Sequence, residues 1–312
     1  MMKNVAILDC LIIGGGPAGL TAAIYLARFH LKVRVIDADE SRARWIPCTH
    51  NHAGYPSGIA GAALLDDMRE QARNFGVVIE TARVTRLGAA GDVFEAEWGN
   101  GTHFSRSVLL ATGVVNRKPS IAQPLHDEAL ARGLLRYCPV CDGYEVTDKN
   151  VGVIGTGSAA LAEAVFLRSF TEFVTLVAPE GSHDFNAEDQ AKIAQFNIAL
   201  IDGPAQVLRI DGKHLIVGCS AGELAFDSVY PALGSDVNSD LAVALGAKTS
   251  DEGAIIVDGH QRADVPGLYA AGDVVLGLDQ ISHAMGEGGV AATTIRNDLA
   301  AAHPMMREHA RV

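Results

Sequence analysis

Two cysteines separated by two residues, Cys138 and Cys141, are the part of this sequence best suited to covalent chemistry. Thiols at that spacing can close into a disulfide and reopen, and the carboxyl of Asp142, next in the chain, can move a proton to or from a thiolate. The spacing alone also suits two buried structural cysteines. A zinc site is unsupported, because no second Cys-x-x-Cys and no suitable His pair lies nearby, so no metal is expected. Cys10 and Cys219 fall in apolar runs and read as core residues.

The second feature that implies chemistry is a glycine turn. Gly14, Gly16 and Gly19 stand in G-x-G-x-x-G spacing, with Pro17 and Ala18 between the last two. The turn follows an apolar run (residues 5–13) and leads into a helical segment (20–29), which is the context that cradles a dinucleotide pyrophosphate on a helix N-terminus. A further apolar run (32–36) closes on Asp37, 23 residues after Gly14, where a carboxylate can accept the hydroxyls of an adenosine ribose. The pattern recurs in a strand (150–154), the turn Gly155-Thr156-Gly157, a helix (159–168) and a strand (173–177). Two later strands end in turns of the same kind, Thr112-Gly113 after 107–111 and Gly272-Asp273 within 267–275. Asp273 could accept a hydrogen bond from a polyol, and it equally suits a helix N-cap.

These strand–turn–helix units predict an α/β fold of two Rossmann-like domains with parallel sheets. The two units begin 141 residues apart, too far for a solenoid repeat and suited to two domains. Polar stretches at 115–120 and 234–240 read as linkers, which makes the middle segment an insertion. The tail from Pro304 is expected to fray. The composition is globular, with 48% hydrophobic and 20% charged residues. A net charge of −12 disfavours nucleic acid and anionic membranes, and no apolar run is long enough to span a bilayer. Five cysteines, an odd number, argue against a secreted disulfide framework and for the cytoplasm.

Taken in order, Gly14 to Gly19, Ala111-Thr112-Gly113, Cys138-x-x-Cys141-Asp142-Gly143, Gly155-x-Gly157 and Ala270-Ala271-Gly272-Asp273 resemble the low-molecular-weight thioredoxin reductases, over nearly the whole chain. The resemblance implies an FAD domain split between residues 1–116 and 241–312, an inserted nicotinamide-type domain at 117–240 carrying the cysteine pair, a homodimer, and rotation of one domain against the other during turnover. It also implies roles. Gly14, Gly16, Pro17, Ala18 and Gly19 hold the FAD pyrophosphate, Asp37 the adenosine ribose, Thr112 and Gly113 the cofactor edge, and Asp273 the ribityl chain. Gln280, with Ile281 beside it, contacts the isoalloxazine end. Gly155 and Gly157 cradle a second nucleotide. Cys141 faces the flavin, Cys138 attacks a partner disulfide and Asp142 donates a proton.

One departure stands out. The family grips the NADPH 2′-phosphate with arginines after the second strand of the inserted domain. Here no Lys or Arg lies between Arg168 and Lys192, and the stretch holds Glu172, Glu180, Asp184, Glu188 and Asp189. A 2′-phosphate meets repulsion there, so NADPH is disfavoured. NADH is not clearly favoured either, since the position 23 residues after Gly155 is Ala178 and the nearest acid, Glu180, comes two residues late. Arginines at Ala178 and Pro179 would be expected to raise NADPH use. The leading expectation is an FAD-dependent disulfide/dithiol oxidoreductase whose partner, a thioredoxin-like protein or a small dithiol, acts in trans. A gliotoxin-type dithiol oxidase using dioxygen, a ferredoxin- or second-flavin-linked reductase, and a non-catalytic flavin redox sensor are the alternatives. His50, His52 and His283 are possible flavin-side bases or ordinary loop histidines, and Cys48 is either core or a bystander near the flavin.

Overall fold

The computed structural model describes residues 7–302 and Met305. The tail from Pro304, apart from Met305, and the first residues of the expected opening strand lie outside the described residues. The chain divides into two compact units. The first gathers residues up to Arg44, then Ala62–Val115, then the chain from Val237. The second gathers Trp45–Gly61 and Asn116–Asp236. The excursion Trp45–Gly61 was not foreseen from the sequence.

In chain order the first unit begins with β1 (Leu8–Ile13), α1 (Pro17–Arg28), β2 (Val33–Asp37), α2 (Gly61–Asn74), β3 (Val78–Thr81), β4 (Arg86–Ala90), β5 (Val93–Trp98) and β6 (Gly101–Leu110). Strands β3, β2, β1 and β6 run parallel, while β4 and β5 add an antiparallel hairpin beyond β6. Alternation explains why β1 reads as a continuous apolar run. Cys10 and Ile12 enter one core with Ala22 and Leu26 of α1, while Leu11 and Ile13 enter another with Phe94 and Trp98.

The chain then passes through β7 (Val114–Asn116) into the second unit. This unit contains α3 (Gln123–Ala131), the one-turn α4 (Pro139–Asp142), β8 (Val151–Ile154), α5 (Gly157–Leu167), β9 (Val174–Val177), α6 (Ala187–Phe196) and β10 (Ala199–Ile201). It continues with a meander of β11 (Gln206–Asp211), β12 (His214–Cys219) and β13 (Gly222–Phe226), then β14 (Ser228–Pro231). The order β10-β9-β8-β14 is parallel throughout. The chain returns by β15 (Ser235–Val237), which pairs with β7, so the two expected linkers form a short ribbon. Cys219 departs from the core reading. It is the last residue of β12, only partly buried, and its thiol donates to the Gly222 carbonyl across the hairpin turn. The first unit closes with α7 (Asp240–Ala244), β16 (Leu268–Ala270) beside β6, and α8 (Ile281–Ala302). No helix among the described residues is long and apolar enough to cross a membrane.

Register lines up the functional turns. Ile13 pairs with Ile36 and with Leu110, and Leu110 pairs with Ala270. Gly14, Asp37, Ala111 and Ala271 therefore emerge at one edge of the sheet, outside the carboxyl ends of its parallel strands, where open α/β sheets bind ligands. Helix α8 reaches this edge only because Gly288 lets it touch the Ala18 carbonyl of α1. Gly288→Ala is expected to lower unfolding stability by roughly 1–3 kcal/mol through overpacking. Gly289→Ala, whose nearest neighbour is the Tyr25 ring at 3.7 Å, is expected to be neutral or to gain up to about 1 kcal/mol. Denaturant midpoints of the two variants check this.

Candidate active site

The first cradle is built by backbone. The Gly14 N–H donates to the Ile36 carbonyl at 2.8 Å, and Gly14 has φ +110°, which an L side chain rarely adopts. A Cβ on Gly14 would overlap the Ala111 carbonyl, and one on Gly19 would overlap the Gly14 carbonyl. Gly16 differs, since a Cβ there meets only Ser41 Oγ at 3.3 Å. Gly16 is the N-cap of α1, no side chain caps it, and Pro17 opens the helix. The free N–H groups of this first turn fit an anion such as a pyrophosphate. Ala18 serves as packing, lying against Gly272 and Gly288.

Asp37 is 5% exposed and leans over Gly15. Its Oδ2 accepts from Arg69 Nη2 at 2.9 Å, and Oδ1 accepts from the Asp39 N–H. Arg69, equally buried, also reaches Asp39 and Asp66. No sequence motif pointed to Arg69, which comes from the middle of α2. Thr112 spends its hydroxyl on the Asn238 carbonyl at 2.6 Å, so it joins two segments of the unit, while Gly113 (φ +63°) makes the turn.

At the far side of the same edge, Asp273 is not a helix N-cap, because α8 starts eight residues later. Its Oδ2 accepts from Arg42 Nε at 2.8 Å, and Arg42 Nη2 also reaches Asp279 Oδ2 at 2.8 Å. Burial pushes the Asp273 carboxyl up from the usual range, against the pull of Arg42. Glu287 of α8 accepts from the Gly272 N–H at 2.7 Å and pairs with His283 Nε2 at 3.0 Å. The Glu287 carboxyl is likewise raised by burial. His283 thus touches a carboxylate that holds the Gly272-Asp273 turn. Gln280 and Ile281 lie at the start of α8, both partly buried. Arg42 and Glu287 were missed from sequence, since each acts through a partner more than ten residues away.

The second unit carries the redox pair. Cys138 and Cys141 form a disulfide with Cα atoms 5.2 Å apart. Cys138 is the N-cap of α4, and its sulfur accepts from the Cys141 N–H at 3.1 Å. Asp142 accepts from Arg136 Nη1 at 2.8 Å and from the Tyr230 hydroxyl at 2.9 Å. Burial pushes its carboxyl up, opposed by Arg136 and Tyr230. The loop histidines belong to this unit too. His52 stacks on Tyr55, while Cys48 Sγ and the His50 ring both lie against Gly58.

The second cradle repeats the first. The Gly155 N–H donates to the Val177 carbonyl at 3.0 Å, as Gly14 does to Ile36. Gly157 has φ +73° with open space beside it, and Thr156 caps α5 without a side-chain bond. Ser158, in the first turn of α5, donates to the buried Asp189 at 2.8 Å. Pro179 and the exposed Glu180 follow β9, and Ala178 is fully buried. Ala178 is thus a poor site for the arginine expected there, and Pro179 and Glu180 are the first accessible positions after β9. No group of three or more metal-ligating side chains occurs among the described residues.

Residues 8–288 match the family model of the pyridine nucleotide-disulphide oxidoreductases. The chain belongs to that family. It is 33% identical over 296 residues to a thioredoxin reductase of Treponema pallidum, covering 91% of this chain and 94% of that one. It is 32% identical over 282 residues to a bifunctional thioredoxin reductase/thioredoxin of Mycobacterium leprae, covering 86% of this chain and 60% of that longer protein. The crystal structure of thioredoxin reductase from Streptococcus pyogenes superposes with a TM-score of 0.85 at 29% identity, covering 95% and 99% of the two chains. This oxidoreductase is thioredoxin reductase-like, uses FAD, and acts on a disulfide, with a nicotinamide cofactor implied by the family.

The buried Asp37–Arg69 pair sits at the base of its first cradle. Arg69→Met strands a buried carboxylate and is expected to cost about 3–5 kcal/mol of stability. Adding Asp37→Leu should restore most of the loss, as read by urea denaturation of the single and double variants.

Proposed function

We propose that this enzyme reduces the disulfide of a thioredoxin-like protein acting in trans, drawing electrons from a nicotinamide cofactor that lacks a 2′-phosphate. The Cys138–Cys141 disulfide beside Asp142 carries the reading. The similarity to thioredoxin reductases, one of them fused to a thioredoxin, supports the partner. The composition after β9 supports the donor. Pro179 and Glu180 occupy the turn, and no cation lies between Arg168 and Lys192. A carboxylate at Glu180 suits a ribose diol and repels a phosphate.

The chain's own residues then divide the work. The α1 N-terminus and Gly14, Gly16 and Gly19 receive the FAD pyrophosphate, Asp37 the ribose and Asp273 the ribityl hydroxyls, with Arg42 offsetting the charge of Asp273 and Asp279. FAD, when bound, supplies two-electron transfer between nicotinamide and disulfide. Two electrons and two protons open the Cys138–Cys141 bond to a dithiol. The Cys138 thiolate attacks the partner disulfide, forming a mixed disulfide and releasing one partner thiolate. The Cys141 thiolate then attacks Cys138 Sγ, re-forming the internal bond and releasing the second partner thiolate. The two protons of the dithiol leave on the two partner thiols, and Asp142, its carboxyl raised by burial, is the group we assign to pass them from the cysteine thiols to the departing thiolates. Free thiols at Cys10, Cys48 and Cys219 fit a cytoplasmic setting. A homodimer belongs to the same reading.

Anaerobic bleaching of the flavin near 450 nm with NADH, NADPH and dithiothreitol in parallel tests the donor. NADH is expected to bleach at least about tenfold faster than NADPH, the cost of one missing charge-assisted phosphate grip. Pro179→Arg with Glu180→Arg should move the ratio toward NADPH by about tenfold. Bleaching by dithiothreitol alone, with recolouring in air, would overturn the reading.

A further inference from the structure

Tyr137 immediately precedes the exchange cysteine, and its side chain is tied into a network that the reaction above does not use. The Tyr137 hydroxyl lies 3.0 Å from His126 Nε2, and His126 Nδ1 lies 3.1 Å from Asp127 Oδ1. His126, on α3, is 1% exposed. A carboxylate can only accept, so Nδ1 carries the hydrogen and donates to Asp127. In the neutral ring Nε2 is then bare and accepts from the Tyr137 O–H. Burial pushes the Tyr137 phenol up, which keeps it a donor.

The surroundings fix this arrangement. The Trp45 ring meets His126 edge-on at 5.7 Å and Tyr137 at 6.3 Å. Lys118 lies over Trp45 at 5.2 Å and donates to Gln123, which in turn donates to Asp127 Oδ1 at 2.6 Å. The preceding residue is held separately. The Arg136 N–H donates to the Val229 carbonyl, and its guanidinium donates to Asp142 and to the Gly133 carbonyl. Cys138 follows with an extended backbone, φ −148° and ψ 98°, and caps α4. The two residues before Cys138 are thus anchored to different partners.

We propose that Tyr137, locked by His126 and Asp127, is a positioning residue that holds Cys138 where its sulfur can re-bond to Cys141, and so sets the thiol–disulfide equilibrium of the pair. The anchor restricts the backbone at Cys138 in the dithiol. The two sulfurs stay at high effective concentration, and the disulfide is favoured. Loosening it gives the dithiol more conformations and makes the pair easier to reduce. The inference rests on Cys138 and Cys141 being a redox pair, and on neither the donor nor the partner.

The test is the midpoint potential of the pair in the FAD-loaded enzyme, titrated in dithiothreitol redox buffers and read by mass-tagging of thiols. Tyr137→Phe keeps the ring but removes the bond. It should raise the equilibrium constant for reduction about tenfold, which is ~30 mV for a two-electron couple. Asp127 is exposed on α3, so changes there spare the fold. Asp127→Ala frees His126 to take the other tautomer and denies the phenol its acceptor, for an expected shift of about threefold in the same direction. Asp127→Asn still accepts from Nδ1–H and should keep the wild-type potential. Wild-type potentials in both Tyr137→Phe and Asp127→Ala would overturn the inference. A wild-type pair that does not titrate as a two-electron couple would overturn both it and the functional reading beneath it.

Discussion

No side chain fits between Gly14 and the carbonyl of Ala111. That close approach joins the ends of β1 and β6, and much of the first unit's ligand edge depends on it. Because the backbones touch, the turn into α1 starts at the sheet edge and leaves the first N–H groups of the helix facing outward. The register that aligns Ile13 with Ile36 and Leu110 carries Asp37 to the same edge, and β16 brings Gly272 and Asp273 beside it. Gly19 and Gly288 extend the constraint, since each allows a helix to touch backbone. The cradle is a set of omissions: three positions, Gly14, Gly19 and Gly288, where a methyl group would overlap a backbone carbonyl.

Charge is arranged around that edge with equal economy. Each buried carboxylate along this edge has a cation or a donor beside it. Arg69 serves Asp37, Arg42 serves Asp273, and the Gly272 N–H with His283 serves Glu287. Buried carboxylates without such partners would take up protons and lose the acceptor character that a ribose or polyol requires. In the second unit the same logic gives a different result. The cradle at Gly155 keeps its backbone geometry, while Asp189 and Glu180 make its flank acidic. The proposed preference for a donor without a 2′-phosphate rests on that acidic flank beside an intact glycine turn.

How much of this could be read from the residues follows from the range of each interaction. The glycine turns, the apolar run that becomes β1, and the cysteine pair with its acid are local patterns, and they were legible. Arg42, Arg69 and Glu287 carried no signal, because an ion pair across 231 residues, as between Arg42 and Asp273, leaves no period in the chain. The same holds for the Trp45–Gly61 excursion into the second unit and for His126, whose burial depends on Trp45 and Tyr137. Ala178 shows the limit from the other side. Counting along the strand pointed to Ala178, and only its full burial, set by packing, makes it a poor place for an added arginine.

Of the two sulfurs, we propose that Cys141 is the one that exchanges electrons with the flavin, the role that the resemblance implies for it. The most direct test is the absorption spectrum of Cys138→Ser, which leaves Cys141 unable to close the disulfide. A long-wavelength thiolate-to-flavin band beyond the main flavin absorption, absent from Cys141→Ser, is the result expected. The absence of that band in Cys138→Ser across the pH range where a thiolate forms, or its appearance only in Cys141→Ser, would contradict the account.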